Sequence, residues 1–204
     1  MAVLSLTILA IPTVLAHGIV GNDASFVEGN VGTQIIPFIY LGAKHMVTGY
    51  DHLLFLAGVI FFLYRLKDVA IYVTLFAIGH STTLLLGVLG DVQVNAYIVD
   101  AIIGLSVGYK AFENMDGFQH LFGFSPNTKA AVLIFGFFHG FGLATKLQEF
   151  SISVDGLIPN MIAFNVGVEI GQLLALSIIL IAFNVWRASG HFLQFAYNAN
   201  ALLM

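Results

Sequence analysis

Residues 69–89 read VAIYVTLFAIGHSTTLLLGVL, a run of 21 positions that contains no Asp, Glu, Lys or Arg. A transmembrane helix needs about 20 consecutive apolar residues, so this stretch predicts a membrane-spanning helix. Its one imidazole, His80, falls near the middle of the run. A charged group at the centre of a bilayer costs about 2.5–3.5 kcal/mol on insertion scales, so ionisable side chains there need partners or a bound ion. The stretch therefore predicts both the fold class and the place where function is concentrated.

The composition of the whole chain extends this prediction. Hydrophobic residues make up 59% of the sequence, charged residues only 9%, and the mean hydropathy is +0.95. These values exclude an ordinary soluble domain. We therefore predict an all-α fold, a polytopic transmembrane bundle of about six to seven helices. The apolar segments that define it span residues 34–47, 50–64, 69–89, 96–112, 130–147, 157–186 and 192–204.

The N-terminal part of the chain is expected to lie outside this bundle. Residues 1–16 are apolar and end in a small-residue pattern typical of signal-peptidase cleavage, but they lack a positive n-region. They are a signal peptide or an uncleaved anchor helix. Cleavage after Ala16 would make His17 the mature N-terminus and, with its free amine and imidazole, a candidate metal ligand. The favoured alternative is that His17 is only the first polar residue after a signal peptide. Residues 17–33 are expected to form an exported polar loop and 34–204 a single transmembrane helical domain, whose last helix, 192–204, is too short to span and is expected to be incomplete.

The loop charges predict an orientation. Basic residues fall at alternate segment ends, and the positive-inside rule places those ends in the cytoplasm. These residues are Arg65, Lys67, Lys110, Lys129 and Arg187. The opposite ends carry Asp91, Lys146, Glu149 and Asp155 and are neutral or acidic. This orientation agrees with an exported N-terminus if residues 34–64 cross the membrane once. Two full crossings by that stretch would move the N-terminus to the cytoplasm.

The ligand-type residues begin with two histidines close to a glycine. The chain has no cysteine, which limits metal ligands to nitrogen and oxygen. His45 and His52 are seven residues apart, about 10 Å along a continuous helix, and that is too far to share an ion. A helix break at Gly49 would fold the two halves towards one another. Asp51 is then either a ligand or the acceptor that fixes the tautomer of His52.

Further ligand-type residues lie inside the later apolar segments. Small neighbours flank two histidines and permit close helix approach, and Glu169 shares a helix face with polar residues four positions before and three after it. Interhelical hydrogen bonding is the alternative role for each of them. The candidate metal ligands are therefore His45, Asp51, His52, His80, His139 and Glu169. The candidate pathway or supporting residues are Ser81, Asp100, Asn165 and Gln172.

Taken together, these motifs resemble the HupE/UreJ family of small integral membrane proteins associated with hydrogenase and urease maturation. The likeness runs over residues 42–172. It rests on His45-x5-Asp51-His52 with Leu53-Leu54-Phe55-Leu56, on Gly79-His80-Ser81, on Phe138-His139-Gly140-Phe141-Gly142, and on Phe164-Asn165-x-Gly167-x-Glu169-x-Gly171-Gln172. The chain departs from family members that carry a second histidine and an acid soon after Phe-His-Gly. It has Phe141-Gly142-Leu143-Ala144 there, with Glu149 further on.

The resemblance implies a nickel or cobalt permease. Imidazole and carboxylate ligands suit nickel, cobalt, zinc and copper(II) alike. We expect a multi-pass protein of the bacterial inner membrane whose midplane site is built from His52, His80, His139 and Glu169. His45 and Asp51 would pass the ion inward from the outer face. The expected partners are the lipid bilayer, the metal cation and, by resemblance, hydrogenase or urease maturation proteins, with neither nucleic acid nor nucleotide.

Two other classes of function remain open at this point. Three histidines that hold zinc would suit an intramembrane hydrolase, with Ser81 or Asp51 in a further catalytic role. The chain has no His-Glu-x-x-His pattern, and the candidate residues are spread over four segments, so we do not expect an enzyme. A metal sensor or a maturation-complex subunit would bind the ion without moving it. Metal uptake into sealed vesicles separates transport from both.

Overall fold

A computed structural model describes residues 22–149 and 153–204, and every regular element in those two ranges is an α-helix. The all-α prediction is confirmed. The nine helices are α1 (Asn22–Gly29), α2 (Ile35–Thr48), α3 (Tyr50–Ile60), α4 (Leu66–Gly90), α5 (Ala96–Asn114), α6 (Gly117–Phe122), α7 (Thr128–Leu147), α8 (Leu157–Ala188) and α9 (Phe192–Leu203).

Three of the described helices, α4, α7 and α8, are long and apolar enough to cross a membrane, and α2 and α3 are shorter apolar helices. The predicted total of spans remains a prediction. Two short helices fall where none was expected. α1 lies within the predicted polar loop because Val27 is buried in the core and Phe26 packs on Phe38 at 5.9 Å between ring centroids. α6 forms because Phe118 packs on Phe112.

α2 and α3 together run beside α8 in the same direction. At one end, the backbone N–H of Gln34 donates to Asn160 Oδ1 at 2.7 Å. At the other end, the guanidinium of Arg187 donates to the carbonyl of Phe61. Between them the helix is interrupted at Gly49, whose φ of −77° and ψ of 90° are extended rather than helical. α2 and α3 are therefore one traverse of the bundle in two pieces, which supports the single-crossing interpretation of residues 34–64.

Two parallel helix pairs pack through glycine. In the α4/α7 pair, a Cβ added at Gly79 would lie 2.5 Å from the carbonyl oxygen of Leu133. In the α2/α8 pair, a Cβ at Gly171 would lie 2.7 Å from the carbonyl oxygen of Ala43. Both distances are far below van der Waals contact, so only glycine lets these backbones meet. Close backbone approach through small residues is the usual way in which helices pack in lipid.

The two ends of the bundle differ in charge as the loop pattern predicted. At one end, Arg187 meets Phe61, and Asn114 Nδ2 donates to the carbonyl of Gly58 at 2.9 Å. At the other end, Gln148 Nε2 donates to the carbonyl of Gly87 at 2.7 Å, and Lys146 lies 3.6 Å from Asp100. The helix ends that carry the basic loop residues thus lie on one side, and those that carry most loop acids lie on the other.

Candidate metal centre

The interruption at Gly49 brings His45 and His52 together. Their ring centroids are 5.2 Å apart, about half the distance that a continuous helix would impose. The backbone N–H of Gly49 donates to the carbonyl of His45 at 2.9 Å and ends α2 there. A Cβ at position 49 would lie 2.5 Å from Nδ1 of His52. The break and the imidazole geometry therefore depend on the same glycine.

Two further histidines from α4 and α7 complete what we call the imidazole cluster, His45, His52, His80 and His139. Ring centroids lie 6.3 Å apart for His45 and His80, 6.2 Å for His52 and His80, and 4.7 Å for His52 and His139. His45 is 7% exposed and the other three are 0% exposed. The structure thus brings four predicted ligand side chains from four helices into one buried place.

The cluster and the neighbouring carboxylate of Asp51 together form two triads with the spacing of a metal site. His45, His52 and His80 each offer one ligand atom, and these atoms lie within 4.8 Å of one another. Asp51, His52 and His139 form a second triad by the same measure. Metal–nitrogen bonds of about 2.0–2.1 Å hold ligand atoms roughly 3 Å apart, so closure on an ion needs only small side-chain movements.

Two hydrogen bonds orient the imidazoles. Asp51 Oδ1 lies 2.9 Å from His52 Nδ1 and accepts the backbone N–H of the same residue at 2.9 Å. His139 Nδ1 lies 2.7 Å from the carbonyl oxygen of Phe135. A carbonyl only accepts, so this contact assigns a proton to Nδ1 of His139 and leaves Nε2 with the lone pair. Acceptors of this kind on the second ring nitrogen are typical of metal-binding histidines.

Phenylalanines line the cluster on several sides. Phe76 lies 4.9 Å from His139, Phe164 lies 5.7 Å from His45, and Phe55 lies 6.1 Å from His139, all between ring centroids. These three rings are almost fully buried. They exclude water and keep the local dielectric constant low, which strengthens electrostatic attraction between the ligands and a cation.

The structure does not bring Glu169 into either triad. Its side chain is half-buried and lines what we call the α4–α8 groove together with Thr74, Ala77, Ser81 and Asn165. Thr74 Oγ1 donates to Glu169 Oε1 at 3.5 Å. The predicted role of Glu169 as a ligand remains a prediction.

The other predicted residues lie in separate places. Asn165 Nδ2 donates to the carbonyl of Met161 within its own helix at 3.0 Å, although it also lines the groove. Gln172 is fully buried, whereas Asp100 lies 3.6 Å from Lys146 at one end of the bundle. His17 lies outside the described residues.

Sequence reasoning missed the residues that support the cluster. Phe76 and Phe135 each stand four positions before a cluster histidine, at the spacing that places side chains next to each other on a helix. That four-residue spacing could have predicted that each phenylalanine lies beside a cluster histidine. Nothing in the sequence marked the contact of Phe164 with His45, because it joins α8 to a helix more than a hundred residues earlier.

Comparison with protein-family models gives a match that covers most of the chain. The family model described as HupE / UreJ protein matches residues 21–204, which is most of the chain. No match was found among curated proteins or among solved structures. The chain belongs to the HupE/UreJ family, and the resemblance predicted from its motifs is confirmed.

Proposed function

We propose that this HupE/UreJ protein is a membrane permease for a divalent transition-metal cation, with nickel favoured and cobalt next. The observation that supports the proposal best is the buried imidazole cluster with its carboxylate, Asp51. Proteins of this family are generally considered transport or accessory proteins rather than enzymes. Membrane helices rarely bury several such groups together unless they bind or conduct something.

The ligand chemistry fits a transported ion. Neutral imidazoles with one carboxylate suit nickel, cobalt, zinc and copper(II), whereas thiolates, which hold such ions most tightly, are absent from the chain. A permease needs a site that binds well enough to admit the ion and weakly enough to release it. A mixed nitrogen and oxygen site meets both requirements.

The arrangement also supports a path. In this proposal, His45, Asp51, His52, His80 and His139 supply the ligands, and the ion enters from the side of His45. The basic helix ends lie in the cytoplasm, and the membrane is the bacterial inner membrane. The chain lacks the GxxxxGK[ST] motif of nucleotide-driven pumps, so facilitated diffusion is the simplest form of this proposal, and an ion gradient or the membrane potential would supply any further energy. Glu169 and Ser81 in the groove, with Asn165, Gln172 and Asp100, are proposed as residues that tune the path.

The experiment that tests the proposal is uptake of radioactive nickel by purified protein in sealed proteoliposomes. We expect uptake above that of empty liposomes, and we expect His52→Ala to abolish it. His120→Ala is the matched control, because His120 is an exposed histidine of α6 whose ring contacts only a backbone carbonyl, that of Asp116, among the described contacts.

Three outcomes would contradict the proposal. Binding of nickel without uptake would indicate a sensor or a maturation-complex subunit. Turnover of lipid or peptide that requires zinc would indicate a hydrolase. Equal uptake by the His52→Ala and His120→Ala proteins would remove the imidazole cluster from the path.

A further inference from the structure

The contacts within the α2/α8 pair recur within the α4/α7 pair. Gly42 of α2 packs against the carbonyl of Phe164 in α8. Gly136 of α7 packs in the same way against the carbonyl of Phe76 in α4. Residue numbers therefore convert from α2 to α7 by adding 94, and from α4 to α8 by adding 88.

The same two offsets predict a second set of contacts, which the structure contains. Gly167 of α8 packs against the carbonyl of Ile39 in α2. Its equivalent by the offset is Gly79 of α4, and this residue packs against the carbonyl of Leu133, the equivalent of Ile39. Four glycines thus occupy matching positions in two pairs that share no continuous stretch of chain.

Ring contacts follow the offsets as well. His45 lies 5.7 Å from Phe164, and their equivalents His139 and Phe76 lie 4.9 Å apart. Each pair therefore places one histidine at a matching position in the cluster and covers it with a phenylalanine from the partner helix. The α4/α7 pair also supplies His80, whose equivalent in α8 is Val168. The sequence patterns Gly-x-x-His and Phe-x-x-Gly that encode these contacts are too short to be noticed without the packing.

The two pairs run in opposite directions. Thr74 of α4 meets Glu169 of α8, and Ser81 lines the groove together with Ile162, so residue numbers rise along one helix as they fall along the other. The offset converts Thr74 to Ile162 and Ser81 to Glu169, so that it exchanges these two contacts. The two pairs are therefore related by a twofold rotation. Its axis passes through the α4–α8 groove, near Ala77 and its equivalent Asn165.

We propose that the α2/α8 pair and the α4/α7 pair are inverted repeats that move as two rigid units, and that an ion crosses when one unit rocks against the other. The inference rests on the proposed function. His45 belongs to one unit, and His80 and His139 belong to the other, so the imidazole cluster spans the boundary between them. Rocking about the cluster would open it to one side of the membrane and then to the other, as in transporters built from inverted repeats.

The packing differs within and between the units in the way that such a motion needs. Within each pair, the two backbones are in contact through glycine. In the α4/α7 pair, Thr83 Oγ1 also donates to the carbonyl of Phe137 at 2.7 Å. Between the pairs lies the groove, where Glu169 is half-buried and its hydrogen bond to Thr74 is long at 3.5 Å. Movement across the groove breaks little, whereas movement within a pair would separate close-packed backbones.

The test measures distances between nitroxide spin labels in the full chain, reconstituted in nanodiscs. The native chain has no cysteine, so labels attach only where cysteine is introduced. Suitable positions are exposed and apolar: Ile36 in α2 and Ile178 in α8 for one unit, and Ile71 in α4 and Ile134 in α7 for the other. Zn²⁺ is the added ion, because it is diamagnetic and shares imidazole and carboxylate ligands with nickel.

We expect the distances Ile36–Ile178 and Ile71–Ile134 to stay unchanged when Zn²⁺ binds, and the distances Ile36–Ile71 and Ile178–Ile134 to shift beyond the spread of the label rotamers. Zn²⁺ binding is measured on the same samples by calorimetry. Binding with all four distances unchanged, or with within-pair distances that shift as much as between-pair distances, would overturn the inference and leave the proposed function standing. Absence of both Zn²⁺ binding and nickel uptake would instead overturn the proposed function, and the inference with it.

Discussion

α8 and the α2–α3 traverse lie side by side, and each contains two polar side chains at the same sequence spacing. In α8 these side chains stay apart, whereas in the traverse they come together. Asn165 and Gln172 in α8 and His45 and His52 in the traverse are both seven residues apart. α8 is continuous over its 32 residues, which keeps its two side chains about 10 Å apart along the axis. The break at Gly49 brings the two imidazoles to 5.2 Å. A lined face arises from helix periodicity alone, whereas a convergent site needs an interruption.

The largest expected effect comes from removing the interruption. Gly49→Ala places a methyl group against Nδ1 of His52, where only 2.5 Å is available, and it favours helical backbone at the break. We expect nickel affinity to fall by about 100-fold, the upper end of the effect of losing groups that orient ligands, and uptake to fall to background. Equilibrium dialysis and vesicle uptake measure the two effects.

Gly104→Ala is the matched control for that change. Gly104 is an exposed glycine of α5, and an added Cβ there meets nothing within 4 Å. Unchanged affinity is expected. Wild-type affinity in the Gly49→Ala protein would show that the break does not assemble the cluster.

The next effect concerns the carboxylate that orients His52. Asp51→Asn keeps the size of the side chain but removes its charge, and we expect metal affinity to fall by about 10- to 100-fold. Asp91→Asn serves as the control, because Asp91 is exposed in a left-handed conformation that asparagine also adopts. Similar affinities for the two variants would argue against Asp51 as a ligand or an orienting group.

Glycine packing should respond in the same way in both helix pairs. Gly42→Ala and its equivalent Gly136→Ala each force a methyl group against a carbonyl, of Phe164 and Phe76 respectively. Overpacking of this kind costs about 1–3 kcal/mol, and we expect both variants to lose thermal stability in detergent by similar amounts. A large loss of thermal stability for one variant and none for the other would show that the glycine contacts of the two helix pairs are not equivalent.

The smallest effect is expected at Glu169, on the continuous helix. Glu169→Gln preserves shape and the contact with Thr74, so thermal stability and metal affinity should remain unchanged. Nickel uptake should fall, but by less than in the Asp51→Asn protein, because Glu169 lies outside both triads. A fall in affinity as deep as that of Asp51→Asn would place Glu169 among the ligands after all.

Much of the fold could be predicted, because lipid imposes long apolar runs. The helix predicted at 69–89 is observed at Leu66–Gly90. The helix begins three residues earlier than predicted, at Leu66. Those added residues include the charged Lys67 and Asp68, so a prediction based on hydropathy starts the helix after them. The glycine between His45 and His52 likewise predicted their approach. Helix breaks have few causes, and glycine is one of them.

The remaining features depend on which helices become neighbours. Whether Glu169 faces the imidazole cluster or the groove depends on how α8 is rotated against α2 and α4, and glycine contacts set that rotation. The sequence contains those glycines but does not say which carbonyl each one meets. For the same reason, the inverted pairing was invisible until the packing was known.

The glycine pairs have a consequence for biosynthesis. α2 leaves the ribosome early, but its packing partner α8 is completed only at residue 188, and α4 must wait for α7. During synthesis, the glycine faces of α2 and α4 therefore contact lipid or the insertion machinery, and His45 is not yet covered by Phe164. The candidate cation site is therefore enclosed only after α8 has been made, so a chain that stops before α8 carries all five proposed ligands without the phenylalanine of α8 that covers His45.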